Sequence, residues 1–134
     1  MDLFVYGTLM DEDVLGRVIG RAVPASRIGA AFVDGYRRVY VEGTYFPILV
    51  PASGGSVEGR LITGLGAQAV ARLSRFEGRQ FRLERMPVRL ARGRTAEVEC
   101  FMPVQGIKAT AEEWRPDIWR RRHKAAFLKQ LRWW

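Results

Sequence analysis

The centre of the chain constrains the fold most, because it is dense in β-branched and aromatic residues that short glycine-bearing pairs interrupt. Runs of this kind, separated by turn residues, predict antiparallel strands joined by hairpins. We predict strands over residues 22–33, 36–41, 45–50 and 57–62, with turns at Asp34-Gly35, Glu42-Gly43 and Ser53-Gly54-Gly55. Most of the first half of the chain is therefore expected to lie in one sheet.

Shorter elements surround this sheet. A short buried strand, Leu3-Phe4-Val5, comes first, and helices are predicted over residues 11–19 and 67–76. Strands at residues 86–90 and 96–102 flank Arg92-Gly93-Arg94, and a helix that opens at Pro116 follows. Many short strands with few helices predict an α+β fold: a small mixed β-barrel with flanking helices, in a single domain over residues 1–134.

A glycine follows the first strand directly, in the segment Tyr6-Gly7-Thr8-Leu9. Because glycine lacks a Cβ, Gly7 lets a ligand or another stretch of backbone approach closely. If the amides of Gly7, Thr8 and Leu9 converge, they form a concave set of donors for a carboxylate or an oxyanion. The alternative is an ordinary turn from strand to loop.

Positive charge is concentrated near the C-terminus. The chain carries a net charge of +8, and residues 114–134 contain seven Lys and Arg against one Asp. This segment is predicted to form one amphipathic helix whose apolar side includes Trp119, His123, Phe127 and Trp134. Its arginines form either a solvated basic face, which we favour, or a phosphate-binding surface. His123, the single histidine, is expected to be packed or hydrogen-bonded rather than catalytic.

The single cysteine, Cys100, has no partner for an intramolecular disulfide and no ligand cluster around it. We expect it to be a small buried residue on a strand. No apolar run approaches the length of a signal sequence or a membrane span, which predicts a cytoplasmic protein with no membrane contact. Nothing in the sequence indicates an oligomeric state.

Glu77 lies at the end of the second predicted helix, where the negative end of the helix dipole disfavours an ionised carboxylate. If Glu77 is also partly buried beside Phe76 and Phe81, desolvation raises its pKa further, towards the range suited to general acid and base catalysis. Arg75 and Arg79 could oppose that shift. The alternative is a solvated glutamate that pairs with one of these arginines.

Four segments, in this order, resemble the γ-glutamylcyclotransferase-like family: Val5-Tyr6-Gly7-Thr8-Leu9, Tyr45-Phe46-Pro47, Val57-Glu58-Gly59-Arg60-Leu61 and Leu73-Ser74-Arg75-Phe76-Glu77-Gly78. Residues 119–128 are similar to its bacterial branch. The resemblance implies a small β-barrel with flanking helices and no metal or other cofactor. It also implies that Tyr6, Gly7, Thr8 and Leu9 bind the glutamyl part of the substrate and that Glu77 is the catalytic acid and base.

Three positions depart from the pattern of that family. Ser74 stands where an aspartate is usual, Phe81 replaces a tyrosine and so lacks its hydroxyl, and Ile62 replaces a common aromatic residue. These departures leave the acid and base in place but affect the substrate pocket.

The resemblance implies release of 5-oxoproline from a small γ-glutamyl amine or γ-glutamyl amino acid, by attack of the substrate's own amine on its γ-carbonyl. Two alternatives stay open. One is a non-catalytic or nucleic-acid-binding module that uses the basic C-terminal helix, which we rank below the enzyme. The other is a related biosynthetic lyase that acts on a larger γ-glutamyl molecule.

Overall fold

The computed structural model describes residues 1–134, apart from the side chain of Trp133. The strands are β1 (Leu3–Val5), β2 (Ile28–Val41), β3 (Pro47–Ile62), β4 (Phe81–Arg89), β5 (Thr95–Pro103) and β6 (Ala109–Glu113). The α-helices are α1 (Glu12–Ile19), α2 (Ala67–Glu77), α3 (Pro116–Arg122) and α4 (Lys124–Gln130), and α4 continues into a 3-10 turn, Leu131–Trp133.

Five strands close into a barrel in the order β3, β1, β5, β4, β2, because β2 pairs again with β3, and β6 adds to the outside of β2. The β1–β5 pair is parallel, whereas the other pairs are antiparallel. The helices pack outside the strands, so the predicted mixed barrel with flanking helices is confirmed.

The narrowest seam of the barrel lies between β2 and β4, where a single pair, Phe32 and Arg89, is in register. Arg89 reinforces this seam with two hydrogen bonds to the carboxylate of Asp34, at 3.0 and 3.1 Å. Its guanidinium also lies 4.7 Å from the centroid of the Phe32 ring. The Arg89 side chain thus adds hydrogen bonds and a cation–π contact at a seam that has few backbone hydrogen bonds.

Two predicted hairpins are wrong. Asp34-Gly35 and Ser53-Gly54-Gly55 do not end strands, because β2 and β3 stay paired from Ile28 and Ile62 to Tyr40 and Pro47. The register shifts between Asp34 and Tyr36, so both glycine sites form a bulge. Gly35 and Gly54 take positive φ values of 86° and 76°, which lets extra residues loop out while the ladder continues.

The predicted turn at Glu42-Gly43 is confirmed. Gly43 takes a φ of +76°, and the Val41 amide donates to the Phe46 carbonyl at 2.8 Å. The strand predicted over residues 96–102 lies within β5, which is longer, whereas the strand predicted over residues 86–90 overlaps the end of β4 and runs one residue past Arg89. The β6 strand was not predicted, since Ala-Thr-Ala-Glu-Glu carries too little apolar character to indicate a strand.

The C-terminal helix was predicted as one element, but it breaks at His123. His123 leaves helical geometry, with φ −123° and ψ −20°, and separates α3 from α4. Its ring stacks on Tyr45, with centroids 3.8 Å apart. After this break, α4 begins at Lys124.

Strand β1 lies between two cores, and the alternation of side chains along a strand assigns its residues to them. Leu3 and Val5 pack with the helices, and Phe4 packs inside the barrel. Tyr6, the next residue, belongs to the same interior cluster as Phe4. Cys100 is buried on β5, as expected.

No helix in the described part of the chain combines the length and the apolar character needed to cross a membrane.

Gly59 marks a close approach of β3 to β1, because a Cβ there would collide with the Val5 carbonyl oxygen and with the Phe4 ring. We expect Gly59→Ala to lower the free energy of unfolding by about 1–3 kcal/mol, since neither neighbour is free to move. Gly29→Ala is the matched control, because Gly29 also lies in a strand and a Cβ there meets open space. Urea denaturation of both variants tests this, and equal midpoints would contradict it.

Candidate active site

A cavity of about 370 Å³ opens at one end of the barrel, a volume typical of small-molecule sites. Its lining brings together every site residue predicted from the sequence: Tyr6, Gly7, Thr8, Leu9 and Glu77. The loop after β1 and the end of α2 lie some seventy residues apart in the chain, yet they face the same space.

The loop turns sharply after β1. Thr8, Leu9 and Met10 form a 3-10 turn, in which the Met10 amide donates to the Gly7 carbonyl at 3.0 Å. The amides of Thr8 and Leu9, at the start of this turn, have no partner within it. Gly7 does not have a positive φ; its role is the close approach, because a Cβ would lie 2.9 Å from Cγ of Pro47. The loop thereby packs against the first residue of β3.

Arg38 holds this loop from behind, a role that the sequence did not indicate. Its Nη1 donates to the carbonyls of Tyr6 at 2.8 Å and Glu58 at 3.1 Å. Its Nε donates to the carbonyl of Trp114 at 3.3 Å, and its guanidinium lies 5.2 Å from the centroid of the Trp114 ring. One cation therefore ties β1, β3 and the segment before α3 to the same point. In the sequence, Arg38 stands beside a second arginine, Arg37, in a strand that also contains Asp34, so nothing singles it out.

Tyr6 points into the barrel, where its hydroxyl donates to the Phe101 carbonyl at 2.7 Å. Burial, with smaller contributions from Cys100 and Glu77, raises the pKa of Tyr6 well above its usual value. The phenol therefore stays protonated at neutral pH. Tyr6 is therefore a buried, neutral residue of the cavity lining whose hydroxyl proton is already donated to Phe101.

Glu77 is the last residue of α2, and Gly78, with φ +76°, ends the helix there. The Glu77 carboxyl is half-buried and lines the cavity beside Phe76 and Phe81. Burial raises the pKa of Glu77 from 4.5 to about 7. Arg75 could have lowered the pKa of Glu77 through a salt bridge, but the described residues show no salt bridge between the two. The Arg75 guanidinium instead lies over the Trp134 ring, 4.7 Å from its centroid.

The basic C-terminal segment, residues 114–134, contacts the rest of the protein through ion pairs as well as through its apolar side. Lys124 Nζ lies 2.9 Å from the Asp11 carboxylate and 2.7 Å from that of Asp13, and Arg120 lies 3.3 Å from Asp11. Burial acts to raise the pKa of Asp11, but Lys124 and the amides of Val14 and Asp13 outweigh it and hold that pKa below its usual value. Asp11 also caps α1, so it joins the loop region to α3 and α4.

Four aromatic rings in the lining of the cavity contact one another in a continuous set: Phe46, Phe76, Phe127 and Trp134. We call this set the aromatic wall. Ring centroids are 5.7 Å apart for Phe46–Phe127, 6.1 Å for Phe76–Phe127 and 5.9 Å for Phe76–Trp134. The sequence placed Phe127 and Trp134 on an apolar helix side, but that pattern alone does not distinguish a core contact from a cavity lining.

The three departures from the family pattern differ in position. Phe81 lines the cavity, so the missing hydroxyl changes the surface that a ligand meets. Ile62 is fully buried between β1 and β2, and Ser74 is exposed on α2. Among these three, Phe81 alone is in the lining.

A raised pKa at Glu77 has a consequence for stability. The folded protein holds the Glu77 proton more tightly than the unfolded chain does, so stability falls as the pH rises from about 4.5 to about 7. Glu77→Gln removes this titration, and we expect the variant to be more stable than the wild type above pH 7, by up to about 3 kcal/mol. Denaturant unfolding below pH 4.5 and above pH 7 measures this. A stability difference that does not change with pH would contradict it.

Comparison with known proteins identifies relatives of this chain. The family model described as gamma-glutamyl cyclotransferase, AIG2-like, matches residues 3–120. AIG2-like protein A of Arabidopsis thaliana is 28% identical over 137 residues, which span 98% of this chain and 79% of that protein.

Solved structures share the fold. The solution structure of an Arabidopsis thaliana protein aligns with a TM-score of 0.70 at 26% identity, covering 96% of this chain and 86% of that one. A solved gamma-glutamyl cyclotransferase aligns with a TM-score of 0.60 at 9% identity, covering 81% and 68% of the two chains, which is a likeness of fold. The family model matches most of the chain, and the barrel fold is shared with the solved structures. This chain therefore belongs to the gamma-glutamyl cyclotransferase, AIG2-like family.

Proposed function

We propose that this protein releases 5-oxoproline from a small γ-glutamyl amine or γ-glutamyl amino acid, with Glu77 as general acid and base. The observation that carries the proposal is the half-buried Glu77 carboxyl, with a pKa of about 7, on the same cavity as the loop after β1. A carboxyl with this pKa both accepts and donates a proton near neutral pH. In this proposal the loop Tyr6-Gly7-Thr8-Leu9 binds the glutamyl group.

The reaction needs little beyond proton transfer and orientation, because nucleophile and electrophile belong to one molecule. Glu77 accepts a proton from the substrate's α-ammonium group, and the freed amine attacks the γ-carbonyl carbon. A new C–N bond closes the five-membered lactam, and the original amide C–N bond breaks. Two protons leave the attacking nitrogen overall, and both end on the departing amine, which leaves as an ammonium ion.

The amides of Thr8 and Leu9 supply the second requirement in this proposal. Negative charge builds on the γ-carbonyl oxygen as the amine attacks, and fixed backbone donors stabilise such charge without reorganising. Arg38 acts as a positioning residue here, because it holds the carbonyl of Tyr6 immediately before these donors.

The open alternatives receive less support. The cavity volume of about 370 Å³ suits a small γ-glutamyl compound better than a large one. Lys124 and Arg120 are engaged with Asp11 and Asp13, which leaves fewer cations for nucleic acid. The proposal places the enzyme in the cytoplasm.

Glu77→Gln keeps the shape of the side chain but cannot cycle a proton, so we expect it to lower kcat by about 10²- to 10⁴-fold. The measurement is 5-oxoproline release from a panel of γ-glutamyl amines and dipeptides. Glu84→Gln is the matched control, because Glu84 lies on β4 outside the lining of the cavity and its loss leaves the proton relay intact. Equal turnover by wild type and Glu77→Gln would refute the role of Glu77.

The pH dependence provides an independent check. Because the base must be ionised, kcat/KM should rise with pH and level off above a midpoint of about 7. Below that midpoint it should fall about tenfold per pH unit. A glutamate with an ordinary pKa would instead give a level profile from neutral pH down to about pH 5, and that result would contradict the assignment.

A further inference from the structure

Two cavities meet at Trp134. The cavity that contains Glu77, which we call the Glu77 cavity, has Trp134 in its lining. A second cavity, of about 410 Å³, is also lined by Trp134. We call it the arginine cavity, because three arginines line it: Arg17, Arg21 and Arg72. The centroid of the indole lies 5.9 Å from that of the Phe76 ring in the first lining and 5.9 Å from the Arg72 guanidinium in the second, so the ring lies between the two cavities.

The two cavities differ in charge. Among the described residues, Glu77 is the one side chain in the lining of the Glu77 cavity that belongs to an acidic or basic residue. The lining of the arginine cavity contains five such side chains: Glu12, Asp13, Arg17, Arg21 and Arg72. Charges interact more strongly in apolar surroundings than in water. An opening between the two cavities would therefore change the environment of Glu77.

Contacts with α1 and α2 fix the Trp134 ring between the cavities. The indole Nε1 donates to the Val18 carbonyl at 2.8 Å, and Nε of Arg72 donates to the same carbonyl at 2.6 Å. Val18 lies in the last turn of α1, where carbonyls have no acceptor role within the helix. The ring is thus held in place by groups that need a partner from outside their own helix.

Arg75 is the basic residue that precedes Glu77 most closely, two positions earlier in α2. Its guanidinium lies over the Trp134 ring, 4.7 Å from the centroid, and Arg75 is absent from the lining of the Glu77 cavity. A cation–π contact of this kind stabilises the guanidinium at the ring. Trp134 therefore engages a cation that could otherwise lower the pKa of Glu77.

The other titratable groups near Glu77 carry no charge at neutral pH. Tyr6 and Cys100 interact electrostatically with Glu77, and burial raises the pKa of both. Charged residues in the seven positions after Glu77, and those in α4 and the turn after it, do not line the cavity: Arg79, Arg82, Glu84, Lys124, Lys129 and Arg132. The environment of Glu77 is therefore set by the surfaces that keep water and cations out.

We propose that Trp134 is a positioning residue for Glu77, because its ring closes the Glu77 cavity against water and against the arginines on its other side. This inference rests on the proposed function and adds to it the residue that maintains the surroundings of the acid and base. Loss of the ring would admit water and bring cations closer, and both favour the ionised carboxylate. The pKa of Glu77 should then fall from about 7 towards 4.5.

A titration of Glu77 itself tests the inference without substrate. In protein labelled with ¹³C at the glutamate carboxyl groups, the Glu77 signal is the one that Glu77→Gln lacks. We expect this signal to titrate with a midpoint of about 7 in the wild type. In Trp134→Ala the midpoint should be lower by at least about one pH unit. Equal midpoints in the two proteins would overturn the inference.

Two further variants show whether the ring at this position is responsible. Trp134→Phe keeps an aromatic ring and loses only the Nε1 hydrogen bond, so its midpoint should stay close to that of the wild type. Phe32→Ala is the matched control, because the Phe32 ring also lies 4.7 Å from a guanidinium, that of Arg89, but lines neither cavity. If Phe32→Ala lowers the midpoint as far as Trp134→Ala does, the effect is not local and the inference is wrong.

A double-mutant cycle isolates the contribution of Arg75. Arg75→Gln alone should leave the Glu77 midpoint nearly unchanged, since the described residues show no salt bridge between the two. In the Trp134→Ala background the same change should raise the midpoint, because it removes a cation that the ring no longer engages. Equal effects in both backgrounds would contradict exclusion of this arginine by the ring.

The pH profile of kcat/KM links the inference to turnover. Trp134→Ala should move the midpoint of the profile to lower pH, whereas a merely structural defect would lower all values at an unchanged midpoint. If no γ-glutamyl substrate is turned over but the Glu77 signal moves as expected, the cyclotransferase proposal fails and the role of Trp134 stands. If turnover occurs but Trp134→Ala moves neither the signal nor the profile, the cyclotransferase proposal stands and the role of Trp134 is refuted.

Discussion

Strand β1 is the element on which the rest of the structure depends. It is three residues long, yet it pairs with β3 on one side and with β5 on the other. The parallel pairing with β5 fixes its direction, so the chain leaves β1 at the open end of the barrel. The alternation of side chains then sends Tyr6 into the barrel interior and leaves the following backbone at the cavity. Because Gly59 permits the close approach of β3, the geometry of the loop follows from the packing of this strand.

The cavity illustrates a conflict between stability and chemistry. The apolar surroundings that raise the pKa of Glu77 also make its ionised form unfavourable in the folded protein. An exposed glutamate would avoid that penalty but would be almost fully ionised at neutral pH, and hence a poor proton donor. Glu77 is the last residue of α2, and burial is the cause of its raised pKa. A lower stability above pH 7 and a pKa of about 7 are thus two results of one placement.

Much of the fold was predictable because its signals are local. The buried strand at Leu3-Phe4-Val5, the end of α2 at Gly78 and the turn at Glu42-Gly43 each depend on a few neighbouring residues. The two wrong hairpins share one cause: a glycine with positive φ serves a bulge as well as a turn, and only the partner strand decides between them. At the break, His123 stacks on Tyr45, which lies far away in the chain, and helical periodicity does not reveal such a contact.

The candidate site was predictable to a different extent. The resemblance to the family singled out Tyr6, Gly7, Thr8, Leu9 and Glu77, and the structure places all five on one cavity. Arg38 could not be found in this way, because its partners are backbone carbonyls, which leave no trace in side-chain patterns. Phe127 and Trp134 were visible as an apolar stripe, but a stripe shows only that rings are sheltered from water.

The lining of the cavity comes from separate stretches of sequence, one of which is the segment after α3. Glu77 and the loop after β1 lie within the first eighty positions, whereas two of the four rings of the wall, Phe127 and Trp134, come after residue 120. Mutations in that later stretch can therefore change the lining of the cavity while Glu77 and the loop after β1 stay as they are.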